Sequence, residues 1–178
     1  MRHYNRRLPH WDAVGTPMFV TFRLHNSIPA GRIFPPSTLK SGRAFLAFDR
    51  ILDRAATGPV YLRLPEIADL VVKALKDGDQ RFHRYQLHAY VVMANHVHAL
   101  VTPAVPAAKW LGPLKGYTAH EANRILGHAG GTFWQEESYD HLVRDGTEFR
   151  RIQSYIEANP VKAGVVTAPD EHPWSSAA

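Results

Sequence analysis

Residues 84–103, RYQLHAYVVMANHVHALVTP, constrain the fold more than any other stretch. Two apolar runs flank Ala94-Asn95, and they read as a strand, a tight turn or bulge, and a second strand, a β-hairpin. In the second strand Val97, Ala99 and Val101 share one face and can bury into a core. His96 and His98 leave the opposite face together, about 6.6 Å apart along the chain.

The flanking sequence supplies what such a hairpin needs for cover. Residues 17–24, PMFVTFRL, are β-branched and aromatic, the composition of a strand. Residues 26–43 hold three Pro, two Gly and three Ser and read as a long surface loop. Phe45, Phe48 and Leu52 then form one helical stripe, and Ile67, Leu70, Val71 and Leu75 form another behind Pro65, with Gly58-Pro59 and Gly78 punctuating their ends. Beyond the hairpin, Pro113 can open a helix, LKGYTAHEANRIL, closed by Gly127. A short strand follows at residues 139–143. The last helix, EFRRIQSYIEAN, starts beside Asp145 or Thr147 as caps and stops before Pro160. The order β, α, β, β, α, β, α predicts an α+β fold: a ferredoxin-like antiparallel four-stranded sheet with helices on one face and an additional C-terminal helix carrying Tyr155.

A chain of 178 residues with 45% hydrophobic content supports one sizeable core, so residues 1–178 read as a single domain with an insertion or long loop around 26–63. Cysteine is absent, which excludes disulfides, thiolate metal sites and cysteine nucleophiles. No window approaches the ~20 apolar residues of a membrane span, and residues 1–14 lack the apolar run of a secretory signal, so a soluble, cytoplasmic protein with no membrane partner is expected. Twenty-one Lys and Arg against 16 Asp and Glu give a net charge of +5, a surplus that favours anionic partners, nucleic acid first.

Two constellations carry chemistry. His96 and His98 on one strand face can share a divalent cation through neutral imidazole nitrogens, although His-x-His by itself also suits a solvated strand face. In the last helix Tyr155 and Asn159, four apart, lie about 5–6 Å from each other on one side, beside the stripe of Phe149, Ile152 and Ile156. Taken alone, such a tyrosine is a partly buried packing residue and such an asparagine a helix terminator. Lys109, Trp110, Lys115, Tyr117 and Arg124 combine positive charge with rings on which bases could stack, and equally describe a basic solvated helix face with aromatic core residues.

Three segments, YVVMANHVHALV, LKGYTAHEANRILGHAGGTFWQEESYDHLVRD and FRRIQSYIEANPVKAGVV, together with the closing Pro173-Trp174-Ser175, resemble the REP-associated tyrosine transposases and their insertion-sequence relatives, the single-tyrosine HUH transposases. The resemblance spans about residues 14 to 176. It implies that His96-Val97-His98 is the metal-binding motif, that Tyr155 is the nucleophile, and that Asn159 is the third protein ligand. It further implies a magnesium or manganese cofactor and a single-stranded or hairpin-forming repeat DNA substrate, cut and rejoined through a 5′-phosphotyrosine. Trp134 and His141 receive packing and hydrogen-bonding roles rather than catalytic ones.

A tyrosine ester preserves the energy of the phosphodiester for rejoining, which hydrolysis would discard. Tyr155 has an ordinary pKa near ~10, so it must lose its proton on the way to the transition state, and no base is evident from sequence. The alternatives are a repeat-DNA- or RNA-binding regulatory module without strand transfer, and a metal-dependent phosphoesterase using activated water. Either a monomer or a homodimer that exchanges tyrosine helices fits the helix pattern.

Overall fold

A computed structural model of the chain describes residues 2–5, 9–28, 41–54, 57–128 and 130–178. A two-stranded ribbon, β1 (Arg2–Asn5) and β2 (Pro9–Asp12), precedes a four-stranded sheet of β3 (Met18–Arg23), β4 (Tyr85–Val92), β5 (His96–Pro103) and β6 (Tyr139–Leu142). The sheet order is β4-β5-β3-β6 with every neighbouring pair antiparallel, so the first and third strands lie side by side at the centre, as in a ferredoxin-like sheet. The expected α+β architecture is therefore present.

Side-chain alternation divides the core in two. Met18, Val20, Phe22, Val97, Ala99 and Val101 face one side, under α2 (Pro65–Gln80) and α3 (Ala107–Ile125). Phe19, Val91, Leu100 and both histidines face the other, under α4 (Gly146–Glu157). The tyrosine helix thus covers the face that α2 and α3 leave open. A bulge at His88 lets β4 shift its register against β5, and the displaced ring packs on Phe149 of α4 at 4.9 Å between centroids.

Several boundaries differ from the sequence expectation. The helix expected to open at Pro113 starts six residues earlier, at Ala107, and keeps Pro113 on an exposed interior position. Gly78 does not end α2, which continues to Gln80. The helix expected over Phe45–Leu52 is α1 (Ser41–Arg54), while residues 29–40 of the expected loop lie outside the described residues. α4 ends at Glu157, short of the expected Asn159, and Asn159, the residue before Pro160, is helical again in a single turn, α5 (Asn159–Lys162), with Pro160 at an N-terminal position where its missing N–H costs nothing. Among the described residues no helix is long and apolar enough to cross a membrane.

Candidate active site

β5 sets the histidine pair. Its pleat sends His96 and His98 to the α4 side, with ring centroids 4.7 Å apart and both side chains fully buried. A solvated strand face, the ordinary expectation for His-x-His, is thereby excluded. Each ring is held by its Nδ1. His98 Nδ1 lies 2.7 Å from Thr21 Oγ1 on the neighbouring strand, and His96 Nδ1 donates to Asn95 Oδ1 at 2.7 Å. Asn95 is oriented in turn by donating its Nδ2 to the Leu52 carbonyl of α1 at 3.1 Å. With Nδ1–H engaged, the lone pair of His96 resides on Nε2, the arrangement that metal-ligating histidines use.

α4 sets the tyrosine. Asp145 caps it, its carboxylate accepting from Thr147 N and Glu148 N at 2.8 Å each, which satisfies two donors of the first turn. Phe149, Ile152 and Ile156 bury against the sheet and fix the helix's rotation. Tyr155 then packs edge-on against Phe19, 6.4 Å between centroids, and stands 6.0 Å from the His98 ring of the same chain. The Lys162 ammonium of α5 lies 4.4 Å from the centre of the Tyr155 ring.

Between histidines and tyrosine sits a residue that sequence reasoning missed. Asp49 of α1, 1% exposed, places Oδ1 3.0 Å from His98 Nε2 and 3.7 Å from His96 Nε2. Its Oδ2 accepts hydrogen bonds from the Tyr155 hydroxyl and, at 3.2 Å, from Asn159 Nδ2. Asp53, one turn further on, approaches His96 Nε2 to 3.7 Å. The available signal was a pair of carboxylates four apart beside the Phe48–Leu52 stripe, where an amphipathic helix would ordinarily turn a charge to water.

The electrostatics follow from burial of this cluster. Burial penalises the charged imidazole, and His98 adds repulsion, so the His96 pKa falls to about 3 and the ring is neutral at physiological pH. Burial would raise the Asp49 carboxyl, but His98, His96 and the Tyr155 hydrogen bond outweigh it and leave Asp49 ionised. Asp53 is pushed up to about 7 by burial and then by the charge of Asp49. The Tyr155 phenol is raised well above its usual value, by burial first and by Asp49 second.

The cluster can hold a cation. Asp49, His96 and His98 each offer one ligand atom, all within 4.8 Å of one another. Among the described residues, buried His96 Nε2 and Asn159 Oδ1 have no hydrogen-bond partner. Such atoms are costly unless something coordinates them. Two imidazole nitrogens, an amide oxygen and a carboxylate suit a divalent metal of intermediate hardness.

The remaining sequence candidates are scattered. Trp110, expected among stacking residues for DNA, is 1% exposed and packs edge-on against Tyr85 at 4.9 Å, so no base can stack on it. The helix begins earlier than its proline suggests, and that turns Trp110 into the core. Tyr117 is exposed, as are Lys109 and Arg124, the latter bonded to Glu121 at 2.9 Å. Lys115 donates to the carbonyls of Gln135 and Glu136 at 2.7 and 2.8 Å. These residues belong to α3, across the sheet from Tyr155. Trp134 donates to Thr118 Oγ1 at 2.9 Å inside the core, and His141 lies 3.2 Å from Glu148, the packing and hydrogen-bonding roles expected of them.

The family described as "Transposase IS200 like" matches residues 67–159, more than half of the chain, including both histidines, Tyr155 and Asn159 but not α1. The chain is 28% identical over 105 residues to the REP-associated tyrosine transposase of Escherichia coli (strain K12). That match covers 54% of this chain and 57% of the relative, so the chain spans little more than half the length of the curated protein it resembles. The solved structure of a REP-associated tyrosine transposase bound to a REP hairpin aligns over 99% of this chain and 82% of its own, with a TM-score of 0.54 and 19% identity, a likeness of fold.

Proposed function

We propose, since this chain belongs to the IS200-like transposase family, that it cuts and rejoins single-stranded DNA through a covalent bond between Tyr155 and a DNA 5′-phosphate. The observation that carries the reading is the convergence of Tyr155, His96 and His98, from two separate elements, on one buried carboxylate. A packing tyrosine has no need of that arrangement. A metal-dependent phosphoesterase would use the histidines and leave the phenol without a task.

His96 and His98, with oxygens of Asn159 and Asp49, would hold a divalent cation, magnesium or manganese. When bound, that ion supplies neutralisation of phosphate charge, the main barrier to attack on a phosphodiester. The protein's own contribution is to hold the phenol oxygen beside the place where the phosphate must sit, on a capped helix anchored by Phe149, Ile152 and Ile156. Lys162 over the ring favours negative charge as it grows on the phenol.

For substrate, the relative solved with a REP hairpin supports hairpin-forming repeat DNA, engaged partly as a single strand. The net charge of +5 suits the phosphate backbone. Lys109, Lys115, Tyr117 and Arg124 would contact DNA only on the α3 side, which suits gripping the hairpin rather than the strand being cut.

The test is to incubate the protein with end-labelled single-stranded hairpin DNA from its genomic flank, with manganese or magnesium, and to look for a protein–DNA adduct that survives denaturation. The adduct is expected with the wild-type chain, absent with Tyr155→Phe and His96→Ala, with DNA binding by Tyr155→Phe largely retained. Binding without any adduct would replace the strand-transfer reading by a repeat-binding regulatory one. Cleavage that persists in Tyr155→Phe would point to activated water.

A further inference from the structure

Tyrosine must lose its proton to attack, so a group able to accept it must reach the Tyr155 hydroxyl. We propose that Asp49 of α1 is the proton acceptor for Tyr155, a catalytic carboxylate that touches the reacting oxygen itself. The inference rests on the phosphotyrosine reading above and assigns a role to a helix that lies outside the family match.

The geometry divides the work between the two oxygens of one side chain. Oδ1 faces the imidazole nitrogens of His98 and His96, at 3.0 and 3.7 Å, while Oδ2 accepts the Tyr155 hydroxyl. Two other groups placed at the phenol are unsuited to receive its proton. Asn159 presents an amide nitrogen, which has no acceptor lone pair, and Lys162 is a cation over the ring. Carboxylates serve the same purpose in other phosphoryl transfers, where an aspartate accepts the proton of an attacking hydroxyl.

α1 is also built to hold its aspartate still. Leu52 is fully buried, and its carbonyl receives Asn95 Nδ2 at 3.1 Å, tying the helix to the hairpin turn that precedes the histidines. Asn159 donates to the same Oδ2 at 3.2 Å, which fixes the carboxylate's rotation from the opposite side. Hydrogen bonds therefore tie the base to the nucleophile and its helix to the turn before the histidines.

The step balances without a further reactant beyond water. Tyr155 Oη forms its bond to phosphorus as its proton passes to Asp49 Oδ2. The bond from phosphorus to the 3′-oxygen breaks, and that oxygen leaves with the electron pair and takes a proton from water. Asp49 returns its proton to water, so one phosphodiester is exchanged for another with no net proton.

The experiment compares the wild-type chain with Asp49→Asn, which keeps size and shape but cannot accept the proton, each carrying either tyrosine or 2,3,5-trifluorotyrosine at position 155. Single-turnover adduct formation is followed on hairpin DNA at saturating metal, manganese affinity is read by electron paramagnetic resonance, and the Tyr155 Cζ resonance is read by carbon-13 NMR without DNA. Asp49→Asn is expected to slow adduct formation by about 10²–10⁴-fold, the usual contribution of a general base. The fluorinated phenol, which ionises more readily, is expected to recover at least about tenfold of this, whereas it recovers nothing in His96→Ala. The Cζ resonance is expected to move in Asp49→Asn.

Equal slowing with both phenols, or slowing that disappears as metal is raised, makes Asp49 a ligand only and overturns the assignment. An unmoved Cζ resonance overturns it independently of activity. A wild-type chain that forms no adduct with any flanking hairpin fails the phosphotyrosine reading itself, whereas an adduct whose rate is indifferent to Asp49→Asn fails only this inference.

Discussion

Gly78 shows how one atom can reverse an intrinsic preference. It lies inside α2, where alanine would ordinarily be favoured by about 1 kcal/mol. A Cβ there would stand 2.1 Å from the Tyr85 hydroxyl. That ring is 3% exposed and its hydroxyl donates to the Leu75 carbonyl at 2.8 Å, so it has nowhere to go. Overpacking of this kind costs about 1–3 kcal/mol and exceeds the helical gain. Gly78→Ala is therefore expected to destabilise the chain, read as a lower midpoint in urea with an unchanged slope, and an unchanged or higher midpoint would contradict the packing argument. The same logic applies to Trp110: composition suggested a stacking surface, and a ring packed at 4.9 Å on Tyr85 removes it.

At the scale of the element, α4 is the one whose position matters most, because Tyr155 sits near its end. Its first turn is secured by the Asp145 cap and by Glu148, which accepts from Arg144 N and from the Arg144 guanidinium at 2.8 Å and is also approached by His141 and Arg151. The Arg144 hydrogen bond, against the opposing effect of burial, holds the Glu148 carboxyl at about 2, below its ordinary 4.5. Because folding lowers this pKa, the unfolded chain takes up the proton first. The stabilisation is complete above about pH 4.5 and is lost as pH falls toward about 2. Glu148→Gln is expected to be less stable near neutrality and to show a flatter melting temperature across that acid range. A parallel pH profile for the two proteins would mean that the cluster contributes nothing to the helix. Sequence periodicity identified this element, with Asp145 one of its two candidate caps and its end misplaced by two residues, since capping and stripe rotation depend on residues within a few turns.

The whole molecule assembles its site from three places in the chain: α1, β5 and the α4–α5 junction. A ligand that binds only when all three are docked stabilises the folded state by mass action. At a hundred times its dissociation constant, a divalent cation contributes about 2.7 kcal/mol, or about 5–10 °C in melting temperature for a chain of this size. Manganese is expected to raise the melting temperature relative to chelator, and His96→Ala to abolish the increment. An increment that survives in His96→Ala would place the bound ion elsewhere.

Short-range spacing alone determined much of this protein. The period-two alternation of residues 96–101 specified which side chains face the histidines' side, and the i to i+4 spacing of Tyr155 and Asn159 put both on the side that meets Asp49. Element order was enough to predict the four-stranded sheet. Tertiary structure decided what spacing cannot express. Asp49 meets Tyr155 across 106 positions and Asn159 across 110. On its own helix it is one more charge at the edge of an apolar stripe. Whether such a charge is solvated or buried against two imidazoles depends on where α1 docks, and docking is set by contacts such as Asn95 to Leu52 that join residues far apart in the chain. The histidines and tyrosine were legible because their geometry is local to a strand and a helix, while the carboxylate between them acquires its role only when those elements are brought together.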